Sequence, residues 1–259
     1  MFSSGWASIS CEARLSLIDR TNILGVIPVR VFIFLKSCVR LKHNWRAKKS
    51  MSKSLSFIFA SININPTTED LAGKSHWWGF PDLPEAFDWP CNNDGDLLTF
   101  VCQIRLEEVA ELEVENILPH KGMLWFFADL DYFLGDLDAP CCGTGEWEPD
   151  SFKVLYSEDC SDLCTHEYYW EDGESAVLPA EEMSFEHTDE TGFGFKLLGM
   201  PAMTEGYENE NEGLMSLLQL DEEERWNLRF FDCGIVNFMV STNRMQCDFS
   251  NATLYLHSS

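Results

Sequence analysis

KSHWWGFPDLPEAFDWP occupies residues 74–90, and its three prolines and single glycine exclude a helix across it. The stretch must be an extended, turn-rich segment. Its rings, Trp77, Trp78, Phe80, Phe87 and Trp89, are too many to leave in water, since each buries about 150–250 Å² when covered. The segment is therefore expected to lie across a sheet face with its rings inward. Part of it recurs. Gly79-Phe80-Pro81, then Leu98–Ile104 carrying Gln103, then Gly122–Phe127 follow one another; Gly199-Met200-Pro201, Leu214–Leu220 carrying Gln219, and Gly234–Met239 repeat that order. The offset between matched residues shrinks from 120 (Gly79, Gly199) to 116 (Gln103, Gln219) to 112 (Gly122, Gly234), as loops shortened in a second copy would produce. Two copies are too few for a solenoid. They predict a duplicated half-domain, about 71–190 and 191–259, arranged around a pseudo-two-fold axis.

Between these landmarks the apolar spacing predicts strands at 55–64, Leu98–Leu106, Gly122–Asp129, Phe152–Tyr156, Met183–Phe185, Phe195–Met200, Ile235–Val240 and Thr253–His257. Glu107–Leu118 has helical spacing ended by Pro119, and Asp221–Glu224 reads as a helix start. Residues 129–150 and Glu205–Glu212 read as acidic loops, and Asn243–Asp248 as a helical turn. The connections are too irregular for βαβ crossovers. The fold class predicted is α+β, dominated by a mostly antiparallel sheet.

With 45% hydrophobic and 13% aromatic residues, the 259-residue chain can bury a substantial core. Its net charge of −25 is unevenly held. Residues 1–50 carry nine of the 18 Lys/Arg against Glu12 and Asp19, a local +7; residues 51–259 hold the other nine against 41 Asp/Glu, a net of −32. That body repels nucleic acid and anionic membrane and attracts basic proteins. Pro28 and Arg30 interrupt the apolar run at 23–39, and no stretch there reaches the ~20 residues of a spanning helix. Its basic residues follow the apolar run rather than precede it, unlike a secretory signal. Met51 is read as the true start, with residues 1–50 a non-native or disordered extension and 51–259 one domain. The ten cysteines show no framework spacing, so reduced thiols and a cytoplasmic location are expected.

Chemical signatures are sparse. Cys160, Cys164 and His166 offer one zinc hook without a regular second pair, so no metal is assigned. Asp129, Asp131, Asp136 and Asp138 share a loop, but an EF-hand would need glycine where Leu134 stands and glutamate where Pro140 stands. There is no nucleophile elbow, phosphate loop or dinucleotide fingerprint, and neither catalytic residue nor cofactor is predicted. Gln103 and Gln219 each close an apolar strand, and such amides are expected to bond the backbone of their own Gly-x-Pro loop.

Ser75-His76-x-x-Gly79-x-Pro81-x-Leu83-Pro84, Trp89-Pro90, the Gln103-Ile104 strand and Leu118-Pro119-x-x-Gly122 are followed by Leu197-Leu198-Gly199-x-Pro201, Leu217-Leu218-Gln219-Leu220, Asp232-x-Gly234 and Asp248-Phe249-Ser250. In this order, across nearly all of 71–257, they resemble the YwqG-like family. The resemblance implies a duplicated β-rich cytosolic protein and no particular reaction; some members sit beside toxin–immunity genes, which implies a binding role. Trp78 stands where a second glycine is common, and residues 1–50 have no counterpart. The function expected is a non-catalytic cytosolic binding protein, immunity-type or regulatory, whose acidic surface docks a basic partner. The alternative is an enzyme or small-ligand protein with a pocket between the halves, faced by His76, Trp77 and Trp78.

Overall fold

A computed structural model describes residues 59–112, 117–170, 172–188, 192–203, 214–241 and 248–258. The expectations for residues 1–50, for the Glu205–Glu212 loop and for all of the Asn243–Asp248 turn but Asp248 lie outside these.

Among the described residues thirteen strands run in chain order: β1 (Phe59–Pro66), β2 (His76–Trp77), β3 (Asp82–Pro84), β4 (Thr99–Arg105), β5 (Met123–Ala128), β6 (Gly145–Glu146), β7 (Phe152–Ser157), β8 (Leu163–Thr165), β9 (Glu181–Thr188), β10 (Lys196–Gly199), β11 (Leu214–Leu220), β12 (Ile235–Ser241) and β13 (Thr253–His257). Eleven of them form one antiparallel sheet, ordered β6-β13-β12-β11-β10-β1-β9-β2-β4-β5-β7. β3 and β8 pair separately. Among the described residues the helices are short: α1 (Leu106–Val109), α2 (Asp131–Leu134) and a 3-10 turn at Glu224–Trp226.

The helix expected over Glu107–Leu118 is only four residues long where described. It buries just Leu106 and Val109, and no side chain caps its N-terminus. Too little apolar surface is covered to offset the cost of helix nucleation. β9 is longer than the expected Met183–Phe185, because its polar residues alternate with buried Glu181 and Met183 while it pairs with β1 over eight residues.

β5 is buried along its whole length, and its period of two sends alternate residues to opposite faces. Leu124, Phe126 and Ala128 join the main core. Met123, Trp125 and Phe127 join a second cluster, roofed by Leu83, Phe87 and Trp89 from the aromatic 74–90 segment. A strand covered on both faces loses its alternation, which explains the continuous apolar run MLWFFA.

Several local geometries occur at matched places in the two halves. Trp78 and Leu198, the non-glycine residues just before Gly79 and Gly199, both sit in left-handed backbone (φ 53° and 59°). His76 pairs with Gln103 across β2/β4, and Lys196 with Gln219 across β10/β11. The ladder slips between Phe100 and Cys102 on β4 and between Ser216 and Leu218 on β11. The glutamines themselves bond alike. The Asp82 N–H, just past Gly79-x-Pro81, donates to Gln103 Oε1 at 2.8 Å, and Gln103 Nε2 donates to the Lys74 carbonyl at 2.9 Å. The Ala202 N–H, just past Gly199-x-Pro201, donates to Gln219 Oε1 at 2.9 Å, and Gln219 Nε2 donates to the Gly194 carbonyl at 2.8 Å. Gly122 and Gly234 are required by close approach: a Cβ would collide with the Ser157 carbonyl at the first and with the Phe230 carbonyl at the second.

Candidate functional site

The residues of the recurring sequence motifs are mostly scaffold in this fold. The Pro81 carbonyl accepts from His166 N–H, the Pro84 carbonyl from Phe87 N–H and the Pro90 carbonyl from Leu98 N–H, so the 74–90 segment is tied down along its length. Trp89 Nε1 donates to the Leu98 carbonyl at 2.8 Å. Asp232 N–H donates to Ser258 Oγ, tying the turn before β12 to the residue after β13.

His76, Trp77 and Trp78 are all buried. Trp77 stacks on Trp226 (centroids 5.9 Å, 16° between planes) and meets Phe195 edge-on at 5.0 Å. Rings from β2, from beside β10 and from the 3-10 turn thus pack against one another around Trp77. His76 Nδ1 is 2.7 Å from the Trp78 carbonyl; that oxygen can only accept, so Nδ1 carries the proton. Nε2 then faces Asp82 Oδ2 at 4.0 Å. Asp82 is satisfied by Gly73 N–H, Gln103 Nε2 and Thr165 Oγ1 rather than by a cation.

Burial holds the His76 imidazole below its ordinary value, against the opposing pull of the Trp78 carbonyl and the Asp82 charge. The unfolded chain therefore takes up this proton more readily than the folded one. The stability that His76 contributes is full above its unfolded value near ~6.5 and is lost as pH falls through it. Wild type is expected to lose more thermal stability between about pH 7 and 5 than His76→Asn, whose amide keeps a donor toward Trp78. Parallel melting curves for the two across that range would show that this histidine is not held neutral.

Cys164 Sγ and His166 Nε2 come within 3.4 Å, but the Cys160 thiol turns away and donates to the Ser157 carbonyl. Among the described residues no three His, Cys, Asp or Glu side chains converge as a metal site. Burial, then the charge of Asp129, raises the Cys142 thiol to about 11, so it stays protonated at neutral pH.

An open concavity lies elsewhere among the described residues. Three connections, 92–97 before β4, 129–140 around α2 and 168–170 after β8, enclose adjoining recesses of about 420 and 270 Å³ that share Leu97, Asp131, Asp136, Tyr168 and Trp170. Asp96, Asp129 and Asp138 line the larger one, and no Lys, Arg or His lines either. Asp131 is fixed by Thr99 Oγ1, which donates to its Oδ1 at 2.6 Å. Tyr168 and Trp170 stand edge-to-face, 5.8 Å apart, on a short hairpin closed by the Tyr169–Ser175 bridge. They remain 41% and 54% exposed. Partial burial raises the Asp129 carboxyl, and the charges of Asp131, Asp150 and Asp96 add to this against a hydrogen bond from Asn92. The cleft thus concentrates negative charge on a surface walled by aromatic rings.

The four aspartates at 129, 131, 136 and 138 were legible as a cluster in one loop. Tyr168 and Trp170 lie outside the motifs read from the chain. The signal was available: HEYYWEDG places three aromatic residues among acids beside a glycine, with no apolar alternation to bury them.

A family model described as "Domain of unknown function (DUF1963)" matches residues 75–257. No curated protein matches the chain.

Proposed function

The chain belongs to the DUF1963 family, matched from β2 to the end of β13, and we propose that it is a binding protein whose acidic body docks a basic protein partner. The carrying observation is where the positive charge goes. Lys74, Arg105, Lys121, Arg225 and Arg229 each lie within 4.0 Å of a glutamate, so five of the nine Lys/Arg of residues 51–259 are held in local pairs. Among the described residues, acids such as Glu85, Asp94, Glu146, Glu182 and Glu186 face solvent. Such a field steers cationic partners and repels nucleic acid and anionic membrane.

The finer family reading is YwqG-like, with an immunity-type or regulatory role in the cytoplasm. Its support is the ordered motif series from Ser75 to Ser250, together with cysteines that remain thiols, such as the adjacent Cys141 and Cys142. No helix among the described residues is long and apolar enough to cross a membrane. Internal duplication belongs to the same reading. It is supported by the matched glutamine bonds, by the paired ladder slips, and by a strand order that runs outward in the same sense from the central β1/β9 pair.

The test is affinity capture on the full chain with identification of what binds, followed by association kinetics at rising ionic strength. Basic partners are expected, with an association rate falling at least tenfold between about 20 and 300 mM salt as the Debye length shortens. Partners that are uniformly acidic or uncharged, or rates indifferent to salt, would overturn the reading.

A further inference from the structure

Long-range charge says that a basic partner is drawn in, but not where it seats. Four observations single out the cleft formed by 92–97, 129–140 and 168–170. Its carboxylates Asp96, Asp129, Asp131, Asp136 and Asp138 face no cation of the chain's own along its lining. They are spread around about 420 Å³ rather than converging, and no metal-holding group of three occurs among the described residues. That spacing suits a large, delocalised cation better than a metal ion, which needs oxygens gathered within ~2.6 Å of one point. Two aromatic rings, Tyr168 and Trp170, are held open to solvent beside these carboxylates, although rings of that size normally find cover. Finally, Trp78, Trp89 and Phe100 border the smaller recess, so aromatic surface continues along its wall.

Carboxylate oxygens and an aromatic face together are what a guanidinium or ammonium group uses, one for charge-assisted hydrogen bonds and the other for cation–π attraction. We propose that the cleft receives an arginine or lysine side chain carried on an extended basic segment of the protein partner, clasped between the Trp170 ring and the Asp131 and Asp136 carboxylates. This rests on the basic-partner reading above and adds its address. Burial first, and then the charges of Asp131, Asp150 and Asp96, raise the Asp129 carboxyl, and an entering cation offsets the second of these.

The probe is a tetra-arginine peptide, with the citrulline isostere as a neutral twin, titrated into the full chain by calorimetry and by tryptophan fluorescence. Arginine binding is expected, and at least tenfold weaker binding of the citrulline peptide, because the shape is kept and the charge lost. The double variant Asp131→Asn/Asp136→Asn should weaken arginine binding about tenfold or more, and Trp170→Ala about fivefold. Glu182→Gln/Glu186→Gln, on the exposed side of β9, removes the same charge at a distance and should change it less than about twofold. Melting temperatures within a few degrees of wild type keep these comparisons about binding. If the cleft variants weaken binding no more than the β9 variant, the address is wrong while the basic-partner reading stands. If wild type binds neither the arginine peptide nor any basic protein, both fall.

Discussion

Trp77→Ala is expected to cost about 3–5 kcal/mol and to lower the melting temperature by roughly 6–20 °C, at about 2–4 °C per kcal/mol in a domain of this size. The ring is fully buried and lies in a nest made by Trp78, Phe195 and Trp226. Two of those neighbours come from beyond residue 190, so the cavity would open where the two sequence halves meet. Three other rings border the void, and rigid rings collapse into space poorly. Trp77→Phe supplies the contrast. The Trp77 indole N–H has no partner among the described residues, so phenylalanine loses area but no hydrogen bond. Its cost should stay near ~1–2 kcal/mol. An alanine variant as stable as the phenylalanine one would mean that the aromatic nest is not what joins the halves. Chemical denaturation with the midpoint read at several protein concentrations measures both.

Much of the sheet could be read from the chain because its strands are buried on one face or both. LMSLLQL and TLYLH carry enough apolar residues to fix β11 and β13 at their observed bounds. The segment 74–90 declared itself through ring content, and its Trp77, Trp78 and Leu83 are inside. The two-residue β6 and three-residue β8 could not be seen, since their pairing is decided by β13 and β3, distant in sequence. α2 was hidden within a stretch whose aspartates and Gly135 read as loop; Phe133, docked on Trp147 and Phe230, holds it as one helical turn. The cleft was legible only in part. Its aspartates stood out as a cluster, but their partners at 92–97 and 168–170 are brought beside them by the fold and not by spacing.

Gln103→Met and Gln219→Met, matched closely in length and volume, should each cost about 2–4 kcal/mol, and by similar amounts. The first strips a partner from the Asp82 N–H and the Lys74 carbonyl; the second strips one from the Ala202 N–H and from the Gly192 and Gly194 carbonyls. Both amides are buried, so water cannot step in without opening the strand. A fully buried orphan costs about 1–3 kcal/mol, and each variant creates at least two, partly relieved by local movement. The comparison bears on the duplication as much as on stability. If one variant unfolds readily and the other is silent, the two glutamines are not doing the same job, and the matched bonds would be coincidence of geometry.

The role of the acidic body comes down to which surface a basic partner covers. Amide hydrogen exchange of the full chain, with and without a basic protein obtained by capture, reads that surface residue by residue. Slowed exchange in 92–97, 129–138 and 168–176 is predicted, with the central β1/β9 pair unchanged. Protection confined to other segments, with these three loops exchanging at their free rates, would contradict the assignment of the cleft as the seat of binding.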